Sequence, residues 1–92
     1  MEMTITHHAQ RRLQQRGIPP VIVNLLDQYG AVERSRGADT LFFNRAARDR
    51  MTRAHGGRSI AGIEKWLGVY AIVSDEGSLI TVAHRRRRFK RK

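Results

Sequence analysis

The sequence predicts an α+β fold with two N-terminal helices, a small antiparallel four-stranded sheet and a basic helix inserted into that sheet. Apolar residues recur at helical spacing within 20–29, which is typical of a helix with one buried face. Two segments, 31–44 and 69–84, each contain two runs of strand-forming residues around a glycine-containing turn. The segment between them, about 45–55, is rich in arginine with a narrow apolar edge, which indicates the inserted helix.

The first predicted helix covers residues 7–16. Thr6 is a suitable N-cap, because its hydroxyl can accept a hydrogen bond from a free N–H of the first turn, and Gly17 is a typical C-terminal residue. Only Ala9 and Leu13 form an apolar stripe. We therefore expect one narrow edge of this helix on the core and a wide polar surface in solvent.

The second predicted helix covers about residues 20–29. Ile18 precedes a proline and is therefore restricted to extended backbone, whereas Pro20 suits the first turn of a helix. Gly30 ends the helical pattern. The two helices are therefore expected to form a helical hairpin. The apolar residues of the second helix follow the spacing of a single buried face: Ile22, Leu25, Leu26 and Tyr29.

Both strand segments are predicted β-hairpins. In 31–44 the turn is assigned to residues 37–39, between an alternating first strand and an apolar return strand. In the second hairpin, strands at 69–74 and 78–84 flank a turn at 75–77. The β-branched composition of these last two strands makes this the clearest hairpin of the chain.

The segment between the hairpins is predicted to be helical. Asn44 is a suitable N-cap for the third helix, which ends at a Gly-Gly pair. A short further helix is expected after Ser59 as its cap, and its apolar side is formed by Ile60, Ile63 and Leu67.

The positive charge of the chain is concentrated at its C-terminus. The formal net charge is +10, and seven of the 18 basic residues fall within 85–92, which leaves eleven basic and eight acidic residues in 1–84. We predict a single domain over 1–84 and a disordered tail over 85–92, because a run of like charges repels itself. The tail suits a polyanion, so the expected partners are RNA or DNA, or an acidic protein.

Several classes of protein are not indicated by the sequence. The chain has no cysteine, which excludes a disulfide framework and a thiolate zinc site. Its four histidines lack the spacing of a zinc motif, and we predict neither a metal nor a cofactor. No apolar segment has the length of a signal peptide or a membrane span, so we expect a cytoplasmic protein without a membrane partner.

Candidate catalytic residues lie in the first helix. His8, Arg12 and Arg16 are four residues apart and therefore lie along one edge of the helix. His8 is the candidate base, because the helix dipole in a first turn favours the neutral imidazole. Arg12 is the candidate phosphate clamp, with Arg16 further along the nucleic-acid backbone. The alternative is a solvated basic helix that only docks RNA or DNA.

His84 is the second candidate catalytic group, because the end of a strand opens onto the rim of a sheet. Strict alternation places it on one face with Ile80 and Val82, and places Thr81 and Arg85 on the other. If Ile80 and Val82 face the core, Thr81 and Arg85 are the exposed functional pair. The alternative for His84 is a solvated strand end that precedes the tail.

Other basic residues are candidates for contact with phosphates. The arginines of the third helix form either an electrostatic platform or a solvated surface, and those of the tail belong to the polyanion-binding segment. The full set predicted to bind nucleic acid comprises Arg11, Arg16, Arg45, Arg48, Arg53, Thr81, Arg85, Arg86, Arg87, Arg88, Lys90, Arg91 and Lys92.

Two motifs together resemble a known family. The run His-Ala-x-x-Arg-Leu-x-x-Arg-Gly-Ile at 8–18 and a last strand ending Ile-Thr-Val-Ala-His-Arg at 80–85 are similar to small bacterial and plasmid-borne domains of unsettled function. Those domains are placed beside RelE-like toxins, in the fold group of barnase, EndoU and colicin nucleases. The resemblance covers 1–30 and 69–85 but not 45–65. It implies a nuclease-type fold and does not imply activity.

Three functional hypotheses follow from these observations. The first is a RelE-like, metal-independent ribonuclease, the toxin of a toxin–antitoxin pair, which attacks RNA with its own 2′-hydroxyl and pairs with an acidic antitoxin. Its catalytic residues would be His8, Arg12 and His84, and its substrates would include ribosome-bound mRNA. The second is a non-catalytic nucleic-acid-binding module. The third is a basic interaction protein whose partner is an acidic protein.

Overall fold

The structure, a computed structural model, describes residues 5–57 and 62–84. The predicted class is confirmed, because two N-terminal helices precede a four-stranded antiparallel sheet into which a further helix is inserted. In chain order the elements are α1 (His7–Arg16), α2 (Pro20–Tyr29), β1 (Ala31–Ser35), β2 (Ala38–Phe42), α3 (Arg45–Ala54), a 3₁₀ turn (Ile63–Trp66), β3 (Val69–Ser74) and β4 (Leu79–His84).

The ends of α1 and α3 are fixed by the predicted side-chain caps. The hydroxyl of Thr6 accepts a hydrogen bond of 3.1 Å from the N–H of Ala9, and the side-chain oxygen of Asn44 accepts one of 2.8 Å from the N–H of Ala47. Gly17 ends α1 in the left-handed region, at φ 65°. These caps satisfy N–H groups that the helices leave without intrahelical partners.

The sheet is an antiparallel meander in which each strand pairs with the next along the chain. Arg36 and Gly37 form a two-residue turn between β1 and β2, with φ values of 53° and 77°. Two positive φ values are typical of the hairpin turn whose twist matches that of its strands. The predicted turn at 37–39 is therefore wrong, because the turn begins one residue earlier and Ala38 and Asp39 already belong to β2.

The helices cover one face of the sheet. Val69, Ala71 and Val73 are buried on β3, and the residues between them point to the other face. α1 contacts β4, α2 contacts β2 and β3, and α3 packs against α2. The buried cluster that joins these elements comprises Ala9, Leu13, Ile18, Ile22, Val23, Leu26, Leu41, Phe43, Met51, Ile63, Val69, Ala71, Val73, Leu79 and Val82.

A bulge in β4 changes the predicted orientation of its first residues. The pairing with β3 passes from Leu79 to Thr81, which leaves Ile80 as the extra residue. Ile80 is 48% exposed, whereas Val82 is fully buried. The prediction that these two residues share a face is therefore wrong, because alternation fails where a residue is inserted into a strand. His84 lies on the side of Val82, as predicted.

Arg34 connects the two hairpins at one end of the sheet. Its guanidinium donates a hydrogen bond of 3.1 Å to the carboxylate of Asp39 on β2 and another to that of Asp75 in the β3–β4 turn. The bond to Asp75 and then the bond to Asp39 raise the pKa of Arg34, so that this side chain keeps its charge. Because the contact is exposed, we expect it to fix the relative position of the two hairpins and to add little to the free energy of unfolding.

Truncation of a buried residue of α1 tests the assigned packing. Leu13 is 2% exposed, so Leu13→Ala is expected to lower the free energy of unfolding by about 2–5 kcal/mol, since it leaves a cavity. The control Val21→Ala, at a site 56% exposed on α2, is expected to change it by less than about 0.5 kcal/mol. Urea denaturation measures both values. Equal losses would contradict the burial of this edge of α1.

Candidate nucleic-acid interface

A groove of about 290 Å³ lies on the solvent side of α1. It is lined by His8, Arg11, Arg12 and Gln15, which follow the spacing of neighbours on one helix surface. Arg12 is half-buried and the other three are exposed. The structure therefore brings two predicted catalytic residues, His8 and Arg12, together with a predicted phosphate-binding arginine. Gln15 was not among the predicted site residues, although its position four residues after Arg11 is the signal that would have placed it here.

The groove exists because α1 buries so little of its surface. Only Ala9 and Leu13 are buried on this helix, so the remaining side chains project into solvent. The first turn of α1 contains no acidic residue. Within the described part of the chain neither Arg11 nor Arg12 forms an ion pair. Their guanidiniums are therefore available to an anionic ligand.

Arg16 continues this basic surface but does not line the groove. It is exposed in the last turn of α1. Eight residues of an α-helix make more than two full turns, so Arg16 is rotated by about 80° from His8 around the axis. His8, Arg12 and Arg16 therefore do not form a single edge as predicted. His8 and Arg12 line the groove with residues of the adjacent turn, and Arg16 lies outside it.

His84 lies at the end of β4, on the strand against which α1 packs. Its ring contacts the indole of Trp66, with centroids 5.6 Å apart and planes inclined by 32°. The ammonium of Lys65 lies 5.7 Å from the centroid of the same indole. His84 does not line the α1 groove, so its catalytic role stays a prediction.

Of the predicted pair Thr81 and Arg85, the structure describes Thr81 alone. Thr81 lies opposite Ile72 on the face of the sheet that points away from the helices. Arg85 and the rest of the predicted tail, 85–92, lie outside the described residues. Ser59, the predicted cap of the short helix before β3, also lies outside them. Thr81 is therefore on the other side of the sheet from the α1 groove.

A second cleft, of about 300 Å³, lies between α3 and the 3₁₀ turn. Two predicted phosphate-binding residues, Arg45 and Arg48, line it, whereas Arg53 is exposed elsewhere on α3. The arginines were predicted as a platform, but the cleft was not, because it forms only when the 3₁₀ turn comes against α3. Its lining comprises Arg45, Arg48, Asp49, Met51, Thr52, Ile63, Glu64 and Leu67.

One arginine of α3 has a structural role. The guanidinium of Arg50 donates a hydrogen bond of 2.8 Å to the carbonyl of Tyr29, the last residue of α2. A cation at this position satisfies a carbonyl that the helix leaves free and opposes the negative end of its dipole. The ring of His55 lies 6.2 Å from that of Tyr29, edge to face. Arg50 therefore links α3 to the end of α2.

Within residues 5–57 and 62–84, no three His, Cys, Asp or Glu side chains are placed to hold a metal ion. No helix in the same two ranges is long and apolar enough to cross a membrane.

Comparison of the chain with models of known protein families, with curated proteins and with solved structures finds no match.

Removal of one charge from the groove tests whether α1 binds nucleic acid. We expect Arg12→Gln to weaken binding of single-stranded RNA and to lower the salt dependence of log K by about 0.7, since one phosphate contact is lost. Arg36→Gln removes the same charge from the exposed β1–β2 turn, outside both the groove and the cleft. Fluorescence anisotropy at several salt concentrations measures both effects. Equal losses would mean that net charge alone governs binding.

Proposed function

We propose that this protein is a metal-independent ribonuclease of toxin type, which cleaves RNA by attack of a 2′-hydroxyl on the adjacent phosphate. One observation carries the proposal: His8 shares a groove with Arg11 and Arg12 on the exposed side of α1. The reaction needs a base for the hydroxyl and positive charge for the phosphoryl oxygens. An imidazole beside two guanidiniums supplies both.

The proposed reaction begins with neutral His8, which accepts the proton of the 2′-hydroxyl. The 2′-oxygen forms a bond to phosphorus while the bond from phosphorus to the 5′-oxygen breaks. Arg11 and Arg12 bind the non-bridging oxygens, on which negative charge increases in the transition state. The 5′-oxygen leaves with a proton from an acid, so the products end in a 2′,3′-cyclic phosphate and a 5′-hydroxyl.

His84 is the candidate acid of this reaction. It is exposed at the end of β4, and α1 packs against that strand. Histidine is the side chain that most readily both gives and takes a proton near neutral pH. Its contact with Trp66 restricts the orientation of the ring, which a proton donor at a fixed site requires.

The expected partners follow from charge. A chain of formal charge +10 attracts RNA, including mRNA on the ribosome, and an acidic antitoxin. Either partner would cover the α1 groove, where Arg11 and Arg12 form no ion pair with any residue of 5–57 or 62–84. Both proposed partners place the activity in the cytoplasm. DNA offers the same phosphates but lacks the 2′-hydroxyl on which the proposed chemistry depends.

The second candidate function is a nucleic-acid-binding module without catalysis. The arginines of α3 favour it, since Arg45 and Arg48 line a second cleft and Arg53 is exposed on the same helix. Such a module needs guanidiniums for the phosphates but no imidazole. A purely acidic protein partner is the third possibility, and it predicts a tight complex with little preference for RNA.

Cleavage of RNA in EDTA separates these candidates. The full chain is expected to cleave structured RNA and leave 2′,3′-cyclic phosphate ends, and His8→Gln is expected to lower the rate by about 10²–10⁴, since it removes the base. His7→Gln is the matched control, because His7 is also exposed in the first turn of α1 but does not line the groove. Equal activity of His8→Gln and His7→Gln would contradict the role of His8. Binding without cleavage would favour the module.

A substrate whose leaving group needs no acid tests the role of His84. If this histidine donates a proton to the 5′-oxygen, His84→Gln cleaves ordinary RNA more slowly than the full chain does. RNA with a bridging sulfur in place of that 5′-oxygen is expected to be cleaved equally by both proteins, because a thiolate leaves without a proton. Equal rates of the two proteins on ordinary RNA would exclude His84 as the acid.

A further inference from the structure

We infer that the cleft between α3 and the 3₁₀ turn binds a single nucleotide of RNA, with its base on an apolar floor and its phosphate on two arginines. This inference deepens the proposed function, on which it rests for the identity of the ligand. It adds a second contact, separate from the α1 groove. We call this site the nucleotide cleft; its residues are those given above for the 300 Å³ cleft.

The floor of the nucleotide cleft is apolar. Met51 and Ile63 are buried and Leu67 is half-buried, and all three line the cleft. A volume of about 300 Å³ lies at the lower end of the range of small-molecule sites. A nucleobase has two flat apolar faces and gains free energy when one of them leaves water.

The rim of the nucleotide cleft carries two cations, Arg45 and Arg48, one turn apart on α3. The first turn of this helix contains no acidic residue. Among the described residues neither arginine forms an ion pair, although Asp49 and Glu64 line the same cleft. Two guanidiniums beside an apolar floor suit a ligand that joins an anion to a flat apolar group, as a nucleotide does.

The carboxylates of the rim decide between a nucleotide and an acidic peptide. Asp49 and Glu64 would repel the side chains of an acidic protein segment. The same carboxylates accept hydrogen bonds from the exocyclic amino groups of nucleobases, such as N4 of cytosine. We therefore expect a base with an exocyclic amino group to bind more tightly than uracil, which has none.

Titration of the ¹⁵N-labelled full chain with mononucleotides tests the inference. We expect CMP to shift the amide signals of Arg48, Thr52 and Leu67 in a saturable way, with UMP weaker and inorganic phosphate weaker still. Arg48→Gln is expected to weaken CMP binding about tenfold, since it removes a charge-assisted hydrogen bond. Arg36→Gln is the matched control, because it removes the same charge from the exposed β1–β2 turn, outside the cleft. Its effect is expected to be less than about twofold.

Other outcomes overturn the inference. Equal binding of CMP and inorganic phosphate would show an anion site that does not use the apolar floor, and equal losses in Arg48→Gln and Arg36→Gln would show non-specific attraction. Tighter binding of a polyglutamate peptide would identify an acidic protein as the partner. Because CMP binding requires no catalysis, an inactive protein that binds CMP as expected would contradict the ribonuclease but not the nucleotide cleft.

Discussion

The candidate site depends on the narrow contact by which α1 packs against β4. Ala9 and Leu13 on the helix and Val82 on the strand are buried in one cluster, and the caps at Thr6 and Gly17 fix the length of the helix above it. Because only two residues of α1 are buried, the helix is held in place while most of its surface stays free to carry function. The groove with His8, Arg11 and Arg12 lies on this free surface.

The second basic surface lies on α3, which packs against α2. Ala47 and Met51 are the buried residues of α3, and Arg50 adds a hydrogen bond to the last carbonyl of α2. Arg45 and Arg48 line the cleft beside the 3₁₀ turn, so one arginine-rich helix divides its side chains between a structural bond and a charged cleft. The α1 groove and the nucleotide cleft share no residue, so variants can test each one without disturbing the other.

Structural features that depend on local patterns could be predicted from the sequence. Features that form where distant segments meet could not. The caps at Thr6 and Asn44, both N-terminal helices and the clearest hairpin follow from side-chain chemistry and periodicity. That Val82 is buried while Ile80 is exposed could not be predicted in this way, because a bulge is set by pairing across the sheet. The groove could be anticipated from spacing within α1. The nucleotide cleft and the contact of His84 with Trp66 could not, since both join segments that are far apart in the chain.

Photocrosslinking would show whether RNA binds along α1. Single-stranded RNA that contains 4-thiouridine is irradiated with the full chain, and the crosslinked peptides are identified by mass spectrometry. We expect crosslinks on α1 around His8 to Gln15, lost when unlabelled RNA competes. Crosslinks confined to the face of the sheet that carries Thr81, with none on α1, would contradict RNA binding along this helix.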